Sequence, residues 1–329
     1  MTRNLLILFG LKYRLDPFDR DGRTQERNQN AFRPEGFFCG NNIMDNISSV
    51  AEMKEWSRTR RAEGHNIGLV PTMGYLHEGH LSLMHRARFE NQRVVASIFV
   101  NPTQFGRNED LSTYPRDLVS DSIKCRQAGV DAIFVPGADD VYGPQFQTYV
   151  EVEQVSSPLC GKSRPGHFRG VATVVLKLFN VVCPTSAYFG AKDYQQLQVI
   201  RTMVRDLDLD VNVVDCPTVR EPDGLAMSSR NSYLSSRERE QAVCLYQALH
   251  IAGELFGSGE KEPRKYVTAM SGRIDKEPDA KSDYISLVHP ETLEDVKQVD
   301  DRCLAVLAVR IGKTRLIDNR LFQGRAGHA

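Results

Sequence analysis

The stretch Pro71-Thr72-Met73-Gly74-Tyr75-Leu76-His77-Glu78-Gly79-His80 constrains the chain more than any other. It follows Ile67-Gly68-Leu69-Val70, an apolar run of buried-strand length, and precedes Leu81-Ser82-Leu83-Met84, which opens a helical pattern. Two imidazoles and a glycine therefore stand where a strand hands over to a helix. A helix N-terminus has unsatisfied N–H groups and a positive dipole end, so it favours anions. His77 and His80 would add donors, and Gly79 lets a ligand approach the backbone. The chemistry indicated is the handling of nucleotide phosphates. The same spacing also suits a surface pair or a metal-bound pair of histidines. Zinc would want a third or fourth ligand, and the helix motif H-E-x-x-H is absent because Gly79-His80 follows Glu78. On this stretch alone both readings stand.

The rest of the chain repeats the strand-to-helix step. A helical pattern over Ser48–Arg61 carries Val50, Met53 and Trp56 on one face. Strands are expected at 67–70, 94–100, 132–136, 187–189 and 211–214, with helices at about 79–91, 118–128, 173–182 and 193–207. Arg93–Val100 is nearly all apolar, as a strand covered on both faces should be. Such alternation predicts an α/β fold with a parallel, doubly wound sheet. Ligands bind such sheets beyond the carboxyl ends of the strands. Four polar segments obey that rule: His77 to His80, Asn101 to Phe105, Gly190 to Gln196, and Pro217 to Arg220. Their convergence on one cleft is stronger evidence than any single motif.

After Pro222-Asp223-Gly224 the pattern changes. Ser235 and Glu238 form a plausible capping box for a helix over 236–256. Two strand-like runs follow, at 284–288 and 303–309, before a closing segment at 312–319. The expected organisation is a nucleotide-binding domain over 44–219 and a smaller α+β domain over 220–325. Residues 1–43 are rich in Arg, Asn, Gln and Gly after one short apolar run, and no cleavage pattern follows that run. They are read as a disordered extension, translated from a start upstream of Met44.

With 329 residues and zero formal net charge, the chain lacks the electrostatic footprint of a nucleic-acid binder. It has no apolar run of transmembrane length. Its seven scattered cysteines contain no C-x-x-C and fit a reducing cytosol.

Further residues carry chemistry. Lys192 is a compact cation suited to phosphate, and Asp193 suits a ribose hydroxyl or the cap of its own helix. Met227-Ser228-Ser229-Arg230-Asn231 makes an anion cradle or a capping loop. Arg164–Gly170 is a basic loop before an apolar helix, read as a connection that contacts the site. Gln104 and Gln196 are amides able to hold hydroxyl and carboxylate oxygens. No G-x-G-x-x-G, Walker A sequence or G-x-S-x-G elbow is present.

Taken together, Pro71–His80, Phe99–Phe105, Arg164–Gly170, Phe189–Gln196 and Asp223–Asn231 resemble the pantoate–β-alanine ligase family. The resemblance runs from about Met44 to Phe322, and His77-Glu78-Gly79-His80 is similar to the H-x-G-H signature of a nucleotidyltransferase superfamily. Ala191 departs from the pattern, standing where the family usually has Glu. The resemblance implies a Rossmann-like domain with a smaller C-terminal domain that acts as a closing cover, and a cytoplasmic homodimer. It implies ATP, Mg²⁺, pantoate and β-alanine as the small molecules handled. It also implies an AMP-forming reaction through pantoyl adenylate, with no nucleic acid or membrane partner.

By matching position, His77 and His80 bind phosphates, and Lys192, Ser228, Ser229 and Arg230 cradle the β- and γ-phosphates or the developing charge. Gly190 and Asp193 meet the ribose, while Val219 and Met227 border adenine. Asn101, Gln104 and Gln196 hold pantoate, with Met73 against its methyl groups and beside the nucleotide. Two alternatives compete. Another adenylyltransferase of the superfamily, acting on a phosphorylated acceptor, would want more basic groups where Gln104 and Gln196 stand. A regulatory nucleotide-binding module would tolerate loss of the acceptor amides or the phosphate cations.

Overall fold

The computed structural model describes residues 14–15, 44–107 and 109–324. Its first element is a two-residue strand, Arg14–Leu15 (β1). The rest of the expected disordered extension lies outside the described residues. The chain divides into two compact units that meet in sequence between Cys216 and Pro217. Val219, expected at the end of the first domain, therefore belongs to the second unit.

In the first unit Asp45–Ile47 (β2) precedes Val50–Ala62 (α1), whose start is a capping box between Ser49 and Glu52. The core βαβ unit is Ile67–Thr72 (β3), Glu78–Glu90 (α2) and Arg93–Ile98 (β4). Leu118–Gln127 (α3) and Ala132–Phe134 (β5) follow. Three single-turn helices, Ala138–Val141 (α4), Glu153–Ser156 (α5) and Cys160–Ser163 (α6), lead to the long Val-rich helix His167–Val182 (α7). Ser186–Gly190 (β6), Tyr194–Asp206 (α8) and Asn212–Cys216 (β7) complete the unit.

The six strands are all parallel, in the order β2-β5-β4-β3-β6-β7. Ile67, Leu69, Val70, Val94, Val95 and Ala96 are fully buried, the mark of strands covered on both faces. Leu83, Met84 and Ala87 of α2 and Cys125 of α3 pack with Val70, Val94, Ala96 and Ile133. Each fully buried large aliphatic side chain there contributes roughly 1.5–3 kcal/mol.

From β3 the chain steps outward to β4 and β5, then crosses back to add β6 and β7 beyond the other edge of β3. Pairing between β3 and β6 is confined to Gly68 with Ser186 and Leu69 with Ala187. Yet β3 continues to Thr72 and β6 to Gly190. The two strands therefore part at their carboxyl ends. This is a topological switch point, where open α/β sheets hold ligands.

In the second unit Val219–Arg220 (β8) pairs antiparallel with β1. The expected single helix over 236–256 is two helices, Ser236–Ala242 (α9) and Cys244–Gly257 (α10), separated at Val243. Ser235 and Glu238 do form the expected reciprocal cap. Pro263–Ile274 (α11) precedes an antiparallel sheet of Ala280–Val288 (β9), Arg302–Ile311 (β10) and Thr314–Gln323 (β11), with β10 central. Leu245, Leu249, Tyr266, Met270, Leu307, Val309 and Phe322 form its core. A buried ion pair, Arg220 Nη1 to Asp318 Oδ2 at 2.7 Å, ties β8 to β11. No helix among the described residues is long and apolar enough to cross a membrane.

Candidate active site

The turn after β3 is built around positive φ. Gly74 (φ +81°) is followed by Tyr75 (φ +52°), so the chain reverses sharply before α2. The buried carboxylate of Asp121, on α3, accepts from Tyr75 N and Leu76 N at 2.8 Å each. Lys124, one turn further along α3, donates to Leu76 O at 2.7 Å. Together they hold the backbone that carries the two histidines.

His77 is the N-cap of α2, and its Nδ1 accepts from Gly79 N at 3.1 Å. His80 reciprocates: its Nδ1 accepts from His77 N at 3.3 Å. The pair is a capping box in which imidazoles replace the usual hydroxyl and carboxylate. Because each Nδ1 accepts a backbone hydrogen, each neutral ring carries its proton on Nε2. Burial, reinforced by His80, Lys192 and Lys124, drives the His77 pKa down to about 2. Burial likewise lowers His80 to about 4, with Asp193 opposing and Lys192 and Lys124 assisting. Both rings are thus neutral Nε2–H donors near neutral pH, with centroids 4.1 Å apart.

Across the switch point, Gly190 ends β6 and Ala191–Asp193 form a single 3-10 turn into α8. A side chain at Gly190 would meet nothing within 4 Å, so its backbone is open to a ligand. Lys192 Nζ lies 3.7 Å from Asp193 Oδ1. Lys192 acts electrostatically on both histidines and Asp193 on His80, so the β3 and β6 loops lie close together.

The amides lie at the end of β4. Asn101 caps the 3-10 turn Pro102–Gln104. Asn101 Nδ2 donates to Gln104 Oε1 at 3.0 Å and to Gly170 O at 3.1 Å. Gln104 Nε2 points to Met73 Sδ at 3.2 Å, so Gln104 and Met73 do meet. Gly170 is required here: a Cβ would stand 2.4 Å from Thr103 O. Gln196 is half-buried in the first turn of α8. Its neighbour Gln195 turns inward, accepting from Cys160 N at 3.0 Å and donating to Pro158 O at 2.7 Å.

The basic loop of Arg164–Gly170 is ordered by ion pairing. Arg164 grips Glu109 through Nε (2.6 Å) and Nη2 (2.7 Å), and its guanidinium meets His167 Nε2 at 2.9 Å. Arg164 also holds the Glu109 carboxyl down to about 2, against the upward pull of burial. His167 Nδ1 lies 2.8 Å from Gln104 O. The loop is therefore a connection in contact with the Gln104 turn, as expected, and α7 begins within it.

The remaining expected residues belong to the second unit. Val219 O accepts from Met227 N at 3.0 Å. Ser228 caps the 3-10 segment Ser229–Tyr233, its hydroxyl accepting from Arg230 N at 3.3 Å. Ser229 is buried, and Met227 and Arg230 are half-buried.

Asp121, Lys124 and Glu109 were not singled out from sequence. Each meets its partner only through the fold.

A family model described as pantoate-beta-alanine ligase matches residues 45–321. The chain belongs to that family. The pantothenate synthetase of Thermotoga neapolitana is 54% identical over 276 residues, covering 84% of this chain and 99% of the relative. That of Geobacter sulfurreducens is 55% identical over 273 residues, 83% and 96% of the two chains. The crystal structure of pantothenate synthetase from Thermus thermophilus superposes with a TM-score of 0.80 at 48% identity, covering 84% of this chain and 99% of that one. A pantoate-beta-alanine ligase from Francisella tularensis, complexed with beta-gamma ATP and beta-alanine, gives 0.71 at 36% identity, with 85% and 98% covered. The ligase family thus accounts for the Rossmann-like sheet and the separate antiparallel sheet, and the chain is an enzyme.

Proposed function

We propose that this enzyme condenses pantoate with β-alanine to give pantothenate, AMP and pyrophosphate by way of pantoyl adenylate. In the first step a pantoate carboxylate oxygen attacks the α-phosphorus of ATP and pyrophosphate leaves. In the second the β-alanine amine attacks the acyl carbon, AMP leaves, and the amine gives up a proton. The observation that carries the reading is the neutral, tautomer-fixed pair His77 and His80, coupled to Lys192 at a topological switch point. Neutral Nε2–H donors can bind phosphate oxygens without the cost of charging a buried ring. Lys192 supplies the cation, and the site needs no side-chain nucleophile, only positioning and charge stabilisation.

In this reading Gln104 and Gln196 hold pantoate with Met73 against its methyl groups, and Gly190 and Asp193 meet the ribose. The phosphate roles of Ser228, Ser229 and Arg230, and the adenine contacts of Val219 and Met227, rest on the family resemblance. Mg²⁺ enters as part of the Mg·ATP substrate, because this ion keeps several waters and binds mainly through phosphates. The reading extends to a cytoplasmic homodimer. The described cysteines are free thiols, in keeping with a reducing compartment.

Incubation with ATP, pantoate and β-alanine, omitting each in turn, tests the reaction. AMP release that requires all three supports it. AMP release without β-alanine, or with a phosphorylated acceptor in place of pantoate, rejects it.

A further inference from the structure

Asn101 is 1% exposed, and its amide is fully engaged. One N–H goes to Gly170 O and the other to Gln104 Oε1. Its Oδ1 accepts from the Tyr142 hydroxyl at 2.8 Å, from Thr103 Oγ1 at 2.9 Å and from Thr103 N at 3.4 Å. Two of these partners have fixed polarity. A carbonyl can only accept and a backbone N–H can only donate, so the orientation of the Asn101 amide is decided. Its second N–H is therefore a donor aimed at Gln104, and the atom of Gln104 that meets it must be Oε1. The Nε2 amino group then faces the other way, on the side of Met73.

We infer that Tyr142 and Asn101 are positioning residues that make Gln104 a one-way donor to pantoate. Asn101, expected from the resemblance to hold pantoate itself, has its buried amide spent on protein partners, so in this inference it acts through Gln104. Tyr142 stands outside every motif that identified the family. Among the described residues its hydroxyl is the one side-chain donor to Asn101 Oδ1 that comes from another part of the fold. Its ring is fixed by Phe146 at 4.9 Å and Phe99 at 6.2 Å between centroids, with Lys177 Nζ 5.9 Å from its centre. The fixed polarity of Gly170 O and Thr103 N thus passes through Asn101 to Gln104, and Tyr142, packed edge-on against Phe146, holds Asn101 in that orientation from another part of the fold. The substrate feature selected is an oxygen acceptor; a group that offers only a donor would meet Nε2 with like polarity. This rests on the assignment of Gln104 to pantoate, and the test separates the two.

Three variants are compared by steady-state kinetics and thermal melting. Gln104→Ala tests the assignment alone: KM for pantoate should rise about tenfold, with KM for ATP unchanged. An unchanged pantoate KM in that variant overturns the assignment. Gln104→Glu tests polarity. It can still accept from Asn101, but turns a carboxylate oxygen toward the acceptor oxygen of the substrate. Its pantoate KM should rise at least about a further tenfold beyond that of Gln104→Ala. A Gln104→Glu enzyme no worse than Gln104→Ala overturns the one-way donor while leaving the assignment intact. Tyr142→Phe keeps the ring and removes the hydroxyl. Pantoate KM should rise by about fivefold, with the ATP KM and melting temperature held. A uniform loss in all parameters, or none, overturns the positioning role of Tyr142.

Discussion

The two ends of the candidate site in the first unit are built by opposite means. The mouth of α2 is electrostatic: two neutral imidazole donors, a helix N-terminus, and the cations Lys192 and Lys124. At the end of β4 stand uncharged amides, Asn101 and Gln104, whose orientation is fixed by Gly170 O and Thr103 N and supported by the Tyr142 hydroxyl. The difference suits the ligands. A triphosphate presents many equivalent oxygens and a large charge, so direction matters less than field. A small hydroxy acid presents few groups, so their direction is what can be read. The charged end should then lose rate when altered, and the amide end should lose affinity for one substrate.

The largest expected effect is at the charged end. Lys192→Ala removes the cation that faces both histidines and should slow adenylate formation by at least about a hundredfold, or roughly 3 kcal/mol of transition-state stabilisation. The measurement is pyrophosphate release before addition of β-alanine. A near-normal rate would collapse the contrast, since field would then not be what this end supplies.

Next comes the scaffold of that end. Asp121 takes two backbone N–H groups of the turn whose Tyr75 sits at positive φ. Asp121→Ala strands both and should destabilise the protein by about 2–3 kcal/mol, read as a lower denaturant midpoint. Turnover should fall with pantoate KM little changed. A selective rise in pantoate KM would instead mean that the two ends share one support.

Much of this contrast was readable in the sequence, for identifiable reasons. The central strands of the parallel sheet, at 67–72, 93–98 and 132–134, are dense apolar runs, because they are buried on both faces. The polar segments after 70, 100 and 189 each follow a strand of the parallel sheet, so placing them at its carboxyl edge needed only the rule for doubly wound sheets. Short and weakly patterned elements were not readable. The strand Asp45–Ile47 has three residues and no apolar run. The helix Pro263–Ile274 buries only Tyr266, Met270 and Ile274, a thin stripe. Val243 lies within an unbroken helical pattern, and nothing local marks the break there. Partners distant in sequence were equally invisible. Asp121 reaches Tyr75 and Leu76 across more than forty residues, and Arg164 reaches Glu109 across more than fifty. Adjacent glutamines posed a further problem: a helix turns about 100° per residue, so Gln195 is buried and Gln196 half-buried, and composition cannot say which.

A pH dependence of moderate size separates the ends without altering ligands. His77 and His80 are folded with pKa values lowered to about 2 and about 4, from an ordinary value of 6.5. Below 6.5 the unfolded chain therefore binds protons that the folded chain refuses. Stability from these rings is complete above pH 6.5 and declines as pH falls toward 4. Urea unfolding between pH 7.5 and 5 should show that decline, and His80→Gln should make it shallower. An unchanged slope in His80→Gln would mean that the ring is already charged in the folded protein. At the amide end Asn101, Gln104 and Met73 carry no titratable group, and the nearest imidazole is His167, whose Nδ1 lies 2.8 Å from Gln104 O.

The smallest expected effect is at Ala191, where the family usually carries Glu. Ala191 opens the 3-10 turn that presents Lys192, and it is half-buried. A glutamate there adds a negative charge near Lys192, which already has Asp193 at 3.7 Å. Exposed or half-exposed charges interact by only about 0–1 kcal/mol in solvent, so Ala191→Glu should change kcat and the ATP KM by about fivefold or less. Pantoate KM should not move, because the amide end is set from Tyr142 and Asn101 rather than from this turn. The rate of pyrophosphate release and both KM values, taken at low and high salt, give the reading. A change of tenfold or more, shrinking as salt rises, would show that the field at Lys192 is finely balanced, and the charged end would prove as sensitive to its neighbours as the amide end is to its hydrogen bonds.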